Sequence, residues 1–173
     1  MAKFPVLFAG QRFTATLAGQ MEPDYYRKTS ATTRASTTTT TSDPDLSIPV
    51  DANTIVICEF FIKYATTTAA GFKTLWNVPS GTSGNRQVQG LGTGAVDNST
   101  TSFTARSGVH GFGTSITYGS RNDVSLQVWA YEWAEVTVGA TAGAVAIGWG
   151  QNASTAVNTA VFAGSFARKT QIG

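Results

Sequence analysis

The sequence predicts an all-β protein, a jelly-roll-like β-sandwich with an extended N-terminal arm. Three observations lead to this prediction. The 173 residues include 27 Thr and 18 Gly, and these residue types favour pleated strands and tight turns respectively. Several segments alternate apolar and polar residues at period two, and no segment shows a long helical pattern. About eight to ten strands in one domain must pair or close to protect their edges, which favours a sandwich.

We divide the chain into an N-terminal arm, residues 1–44, and a β-domain, residues 45–173. Residues 29–42 within the arm form a low-complexity run of Thr, Ser and Ala. Such a run buries too little apolar surface to offset the entropy lost on ordering. Two interpretations stay open for it, an edge strand on its own domain or an extended segment lying along a neighbouring subunit.

The beginning of the arm is apolar and predicts a docking segment. One or two helical turns are expected between Thr14 and Met21, and Pro23 ends them. A helix this short is marginal in water and needs a surface to pack on. We therefore expect the arm to bind another protein. The candidate docking residues are Phe4, Val6, Leu7, Phe8, Arg12, Phe13 and Leu17.

Strand patterns and turn signals follow one another through the β-domain. Pro49 places the first strand at a sheet edge. The next strand has apolar residues on both faces and is expected to be covered on both sides. A weak, glycine-rich region follows, in which the stretch around His110 is expected to be a loop. The predicted strands are DLSIPV, TIVICEFFIKYA, GFKTLWNV, RQVQGL, SFTAR, VSLQVWAYEWAEVTV, AGAVAIGWG and NTAVFAGSFARKTQI.

Residues 124–138 form the clearest of these strands. The face that begins with Val124 and Leu126 is apolar except for Glu132, and the opposite face carries Trp129, Tyr131 and Trp133. This aromatic face has three possible roles, and the sequence leaves all of them open. It is a second core layer, a subunit interface, where such residues are enriched, or a platform on which sugar rings stack.

Catalytic patterns are nearly absent, so we expect no enzyme activity, no metal and no cofactor. His110 is the only histidine and has no further ligands at zinc-like spacing. Glu132 and Glu135 are the candidate pair for a glycosidase, but their odd spacing points them to opposite faces of a strand. Cys58 is expected to be a small buried hydrophobe rather than a reactive thiol.

Charge and hydropathy exclude two further classes of partner. The net charge is +2 and the basic residues are scattered, which is unlike a nucleic-acid surface. No segment reaches the ~18 apolar residues that cross a membrane. A single cysteine and the lack of a secretory signal predict folding in a reducing cytoplasm.

Short motifs in a fixed order resemble small virion proteins encoded by phages and prophages of actinobacteria. This sequence departs from that family's pattern in the long aromatic strand 124–138. The motifs are AGQRFTA (9–15), YRKTSATT (26–33), LSIPVDANTIV (46–56), FKTLWNVPSG (72–81), WGQN (149–152) and AGSFARKTQIG (163–173). The resemblance implies a capsid decoration or minor tail protein, made in the host bacterial cytoplasm and incorporated in the virion. It also implies a homo-oligomer, with a trimer favoured, bound to phage capsid or tail proteins.

Three functions follow from these observations. The first is a non-enzymatic structural protein of a bacteriophage particle, docked through residues 1–26. The alternative is a carbohydrate-binding or host-receptor-binding module of a phage tail, in which the aromatic residues of strand 124–138 stack on a cell-surface glycan. A cell-wall hydrolase has the least support.

Overall fold

The computed structural model describes residues 8–19, 22–93 and 104–173, which form two antiparallel β-sheets packed as a sandwich. A short helix, α1, spans Ala15–Gly19, within the region where the sequence predicts helical turns. The strands are β1 Asp24–Arg27, β2 Thr32–Arg34, β3 Thr41–Val50, β4 Ile55–Thr66, β5 Phe72–Asn77, β6 Asn85–Leu91, β7 Ala105–Gly111, β8 Ile116–Tyr118, β9 Asp123–Thr137, β10 Gly143–Gly150, β11 Thr159–Val161 and β12 Phe166–Gln171.

Strand order identifies the sandwich as a jelly roll. The smaller sheet has the order β3-β10-β5-β8, and the centre of the larger sheet has the order β4-β9-β6-β7. These eight strands are the two interleaved Greek keys of a jelly roll, in which the first strand pairs with the last and the second with the last but one. The all-β, jelly-roll-like fold expected from the sequence is confirmed.

Four further strands extend the larger sheet beyond β4. β12 pairs with β4, and β1 pairs with β12 to form the sheet edge. β11 also pairs with β4, and β2 pairs with β11. β2 lies within the Thr-rich run, so part of that run is an edge strand on its own domain. Backbone hydrogen bonds suffice for this pairing, since they require no apolar side chains.

The N-terminal boundary of the sheets lies at β1. Residues 24–44 contribute to both sheets, because β1 and β2 join the larger sheet and β3 begins in the smaller sheet at Thr41. The part of the N-terminal region that lies outside the sheets therefore ends before Asp24. Pro49 lies in β3, at the edge of the smaller sheet, as its sequence predicts.

Apolar side chains from the two sheets meet in one core. The inward face of β4 is completely covered, and Cys58 on that face is inaccessible to solvent. Burial raises the pKa of the Cys58 thiol to about 12, which keeps it protonated and unreactive. The outward face of β4 is only half-buried at Ile55, Ile57 and Phe61. The expectation that this strand is covered on both sides is therefore wrong.

Two other expectations also need correction. The last predicted strand is divided into β11 and β12, because the chain turns at Gly164, where φ is +81°. That region of backbone conformation favours glycine. His110 lies in β7 rather than in a loop. Pairing with β6 along its whole length makes the glycine-rich segment a strand.

Candidate functional site

Six aromatic side chains lie on the outward face of the larger sheet. Strand register places them together: Phe61 of β4 lies opposite Phe166 of β12 on one side and Tyr131 of β9 on the other. Directly opposed residues of a sheet share a face. We call this surface the aromatic face. Its aromatic residues are Tyr25, Phe61, Trp129, Tyr131, Trp133 and Phe166.

Four of these rings form a continuous row across β1, β12, β4 and β9. The centroids of Tyr25 and Phe166 are 6.1 Å apart, and those of Phe166 and Phe61 are 5.5 Å apart. Trp129 continues the row at 6.5 Å from Phe61, with the two ring planes only 18° apart. Aromatic pairs at these separations attract one another. The row is therefore a continuous aromatic surface held together by contacts between neighbouring rings.

A charged cluster lies beside the row. Arg168 of β12 donates two hydrogen bonds to the Glu59 carboxylate, one of them from Nη2 to Oε1 at 2.6 Å, and the Tyr131 hydroxyl donates another. Burial opposes ionisation of Glu59, but the hydrogen bonds from Arg168 and Tyr131 prevail and lower its pKa. Burial and the Glu59 hydrogen bond raise the pKa of Tyr131 to about 12. The cluster thus fixes the orientation of the Tyr131 ring.

Solvent reaches the aromatic face. Trp129 is 45% exposed and Tyr25 is 60% exposed, while Tyr131 and Trp133 are half-buried. Within the described chain no second layer covers these rings, so the interpretation as a second core layer does not hold there. A subunit interface and a sugar platform remain. Glu135 is exposed at one end of the face, which gives it a polar rim.

The first residues of β9 leave the sheet as a bulge. Tyr64 is paired with Val128 and Thr66 with Asp123, so residues 124–127 have no partners on β4. The sequence places Val124 and Leu126 on the core side of this strand. Instead they are 43% and 44% exposed. The bulge carries this apolar pair to the surface within a few residues of Trp129.

The N-terminal segment, residues 8–19, exposes large aromatic side chains. Phe8 is 73% exposed, Phe13 is 61% exposed, Arg12 is exposed and Leu17 is half-buried. Among the residues that the structure describes, the hydrogen bonds of this segment are internal, as from the Ala18 amide to the Thr14 carbonyl at 3.0 Å. The remaining candidate docking residues, Phe4, Val6 and Leu7, lie outside the described residues.

Glu132 is the charged exception on the apolar face of β9, and it lies fully buried between the sheets. Its carboxylate accepts hydrogen bonds from Thr74 Oγ1 at 2.5 Å, Trp76 Nε1 at 2.7 Å and the Tyr118 hydroxyl at 2.7 Å. It also pairs with the buried Arg86 guanidinium. All of these partners hold the carboxylate in place, so Glu132 has a structural role.

Glu135, the second residue of the candidate glycosidase pair, lies on the opposite face of β9 from Glu132, as its spacing predicts. The two carboxylates therefore have no common cleft, and this arrangement does not support the hydrolase hypothesis.

A second buried cluster joins the Thr-rich run to the smaller sheet. Lys28 forms an ion pair with Asp43 at 2.9 Å, and Trp149 Nε1 donates to the same carboxylate at 3.0 Å. Arg34 lies over the Trp149 ring, 3.8 Å from its centroid, and donates to the Thr41 carbonyl. Sequence reasoning missed this cluster. Its members are far apart in the chain, and no periodic pattern connects them.

The described residues contain neither a metal-ligand cluster nor a helix that could span a membrane. No group of three or more His, Cys, Asp or Glu side chains within residues 8–19, 22–93 and 104–173 is arranged to hold a metal ion. The same ranges contain no helix with the length and hydropathy needed to cross a bilayer.

No family model matches the chain, and no curated protein matches it. It is similar to a chain in a structure of the infectious bursal disease virus Gx strain, with 14% identity over 87% of this chain and 40% of that chain, at a TM-score of 0.23. It is also similar to a chain of the infectious bursal disease virus VP2 subviral particle, with 9% identity over 88% and 37% of the two chains and a TM-score of 0.22. TM-scores this low do not establish a shared fold, so the jelly-roll assignment rests on strand order.

Proposed function

We propose that this protein is a non-enzymatic structural subunit of a bacteriophage particle, docked on capsid or tail proteins through its N-terminal segment. The observation that carries the proposal is the exposure of Phe8 and Phe13 on a segment whose hydrogen bonds, among the described residues, all lie within the segment, ahead of a strand fixed in the sheet. Apolar side chains of this size gain most when a partner covers them. The motif resemblance to actinophage virion proteins supports the same function.

The N-terminal segment is anchored to the sandwich at β1, which favours a docking role. β1 is paired with β12, and Lys28 is bound to Asp43 immediately after β1. A force on the N-terminal segment therefore acts on the sandwich as a whole. Many copies on one particle also bind with avidity, so each individual contact can be modest.

Deletion of residues 1–22 tests this function, because it removes the segment and leaves β1 intact. A particle-producing strain that lacks the gene is complemented with the full chain or with the truncated chain, and purified particles are analysed by mass spectrometry. We expect the full chain in particles and the truncated chain, folded, in the unbound fraction. Phe13→Ser is the point variant, and Val157→Ser, at a 44% exposed apolar residue of the β-domain, is its control. Normal incorporation of the truncated chain would contradict docking through this segment.

The aromatic face serves in this proposal as the contact between copies, with a trimer as the expected oligomer. Its composition of Trp, Tyr, Phe and Arg is typical of the centre of protein interfaces. The ion pair between Glu59 and Arg168 is already satisfied within one copy, so its burial against another subunit leaves no charge unpaired.

The second candidate is a carbohydrate-binding or receptor-binding role for the same face. The observation that favours it is the row of rings with a carboxylate and a guanidinium beside it, since sugars require both apolar faces and hydrogen-bonding groups. Binding of the full chain to host cell-wall polysaccharide is measured by co-sedimentation, with Trp129→Ala as the binding variant. Val157→Ala, at an exposed position between β10 and β11, is the control. Saturable binding that only Trp129→Ala abolishes supports this role, and no binding removes it.

A further inference from the structure

A lysine and two aspartates meet at the open edge where the two sheets face each other. Lys28 follows β1, Asp43 lies in β3, and both side chains are inaccessible to solvent. Lys28 Nζ lies 2.9 Å from Asp43 Oδ1, 3.0 Å from Asp45 Oδ2 and 2.7 Å from Thr32 Oγ1. An amine is thereby held against a carboxyl group between two fully buried side chains, with the 37% exposed Asp45 at the solvent side of the cluster. Groups aligned in this way react far faster than in solution.

The second oxygen of the Asp43 carboxyl group has a donor of its own. Trp149 Nε1 lies 3.0 Å from Asp43 Oδ2, and the indole ring is fully buried. An N–H donor in this position stabilises negative charge that develops on a carbonyl oxygen during attack at its carbon. The Arg34 guanidinium over the same ring holds the indole in place. The cluster therefore contains a nucleophile, an electrophile, a second carboxylate and an oxyanion donor.

From this geometry we infer that Lys28 and Asp43 condense into an intramolecular isopeptide bond. The Asp45 carboxylate passes a first proton from the Lys28 ammonium group to Asp43 Oδ1, which makes Asp43 a neutral carboxylic acid. The amine that results attacks Cγ of Asp43. The Nζ–Cγ bond forms, with the negative charge on Oδ2 held by the indole N–H.

The step is balanced within the cluster. Asp45 transfers two protons in turn from Nζ to Asp43 Oδ1, the Cγ–Oδ1 bond breaks, and Oδ1 leaves as water. The third proton stays on the amide nitrogen. An ammonium and a carboxylate become a neutral amide and a water molecule, so the net charge does not change and neither oxidant nor co-reactant is needed. Asp45 ends as the carboxylate with which it began.

The bond links the end of β1 to β3, and thus one sheet to the other. It bypasses residues 29–42, the Thr-rich run with few apolar contacts. Tension on the N-terminal segment is then transmitted through a covalent bond to the smaller sheet. The pairing of β2 with β11 carries none of this load. This inference concerns the chain alone and does not depend on the proposed function.

Mass spectrometry of the full-length protein tests the inference directly. We expect an intact mass lower than that of the sequence by one water molecule. Trypsin cleaves an unmodified chain after Lys28, Arg34 and Lys63, and releases residues 29–34 and residues 35–63 as separate peptides. An amide on Lys28 blocks the cut after it, so here we expect residues 28–34 and 35–63 as one branched peptide, joined through Lys28 and Asp43. A full-mass protein with two separate peptides would show that the contact is only an ion pair, and would overturn the inference.

Two variants separate the roles of the residues. Asp45→Asn keeps both reacting groups and removes the proton acceptor, so the protein should retain the full mass. Lys28→Arg keeps the positive charge but should form no bond. The control is Lys169→Arg, at a lysine that pairs with Asp24 at 3.1 Å in a more exposed site; this variant should still lose one water. Loss of water in Asp45→Asn would exclude Asp45 as the base. The tryptic digest of the wild-type protein shows whether the Lys28–Asp43 bond forms, even if a variant does not fold.

Discussion

At the scale of single residues, a notable feature of the core is a buried pair of opposite charges, Glu132 and Arg86. Glu132 accepts hydrogen bonds from three neutral donors and from Arg86, and neither charged side chain touches solvent. Charges are expensive to bury, so each depends on its partner. Sequence periodicity identifies Glu132 as an exception in the apolar face, but it gives no sign that Arg86, on β6, is the partner.

Removing the carboxylate charge should therefore destabilise the fold strongly. Glu132→Gln leaves the Arg86 guanidinium buried without a counter-charge, and we expect a loss of about 3–5 kcal/mol in the free energy of unfolding. Urea denaturation followed by tryptophan fluorescence measures it. Glu135→Gln, on the exposed face of the same strand, is the control and should change stability by less than about 0.5 kcal/mol. Equal effects in the two variants would contradict the structural role of Glu132.

Glu59 makes stability depend on pH. Its pKa is lowered in the folded state, so its contribution is complete above the ordinary Glu pKa of ~4.3 and is lost as the pH falls through the folded value. Glu59→Gln should cost about 2 kcal/mol at pH 7, where charge-assisted hydrogen bonds are lost, and less at pH 3, which lies below the ordinary Glu pKa of ~4.3. Urea unfolding at both pH values checks this. A cost that is the same at both would show that ionisation of Glu59 contributes nothing.

At the scale of elements, the strands that form the two sheets differ greatly in how well they are held. β4 and β9 are central and pair over most of their length, whereas β2 is a three-residue strand paired with β11. Arg34, at the end of β2, compensates for this short pairing by stacking on Trp149 and donating to the Thr41 and Ser42 carbonyls. One side chain thus joins β2, β3 and β10.

Loss of this side chain should loosen the Thr-rich run selectively. In Arg34→Ala we expect faster amide hydrogen exchange in residues 29–42 and unchanged exchange in β4, because local opening follows the contacts that are lost. Mass-spectrometric exchange of peptides resolves the two regions. Arg27→Ala, at an exposed position of β1, is the matched control and should leave residues 29–42 unchanged. Faster exchange throughout the chain would mean that Arg34 supports the whole fold.

Sequence patterns predict which strands are present in this fold better than they predict where each strand begins, ends or leaves its partner. Alternation in β4 and β9 identifies the inward faces because side chains of a strand point alternately to its two sides. It fails at residues 124–127, since a bulge depends on how the neighbouring strand pairs. The aromatic face is visible in the sequence at Trp129, Tyr131 and Trp133. Its other half, on β4 and β12, requires knowledge of which strands are adjacent.

At the scale of the whole molecule, the outward faces of the two sheets are unequal. The larger sheet exposes the aromatic face, and the bulge adds Val124 and Leu126 at its side. Exposed apolar surface of this kind marks interaction sites in otherwise soluble domains. The proposed trimer and the proposed glycan site compete for it, so the oligomeric state is the property that separates them.

A charge placed in the ring row should prevent association between copies. We expect the full chain, of 18.1 kDa, to sediment as a trimer and Phe166→Glu to sediment as a monomer with unchanged circular dichroism. Val157→Glu adds the same charge at a 44% exposed position between β10 and β11, outside both sheets, and should remain trimeric. Analytical ultracentrifugation gives the masses. A monomeric wild-type protein would leave the aromatic face available for the glycan role alone.

The jelly-roll order has a consequence for how the chain is made. β3 pairs with β10, and β4 pairs with β9, so each waits for a strand synthesised much later. Among the strands of the described residues, only β6 and β7 are both consecutive and paired over their full length. Pairings between distant segments form slowly. Until β9 pairs with β4, the apolar face of β4 is exposed to other molecules. A lower rate of expression at low temperature lowers the concentration of incompletely folded chains. It should therefore raise the yield of native protein relative to inclusion bodies.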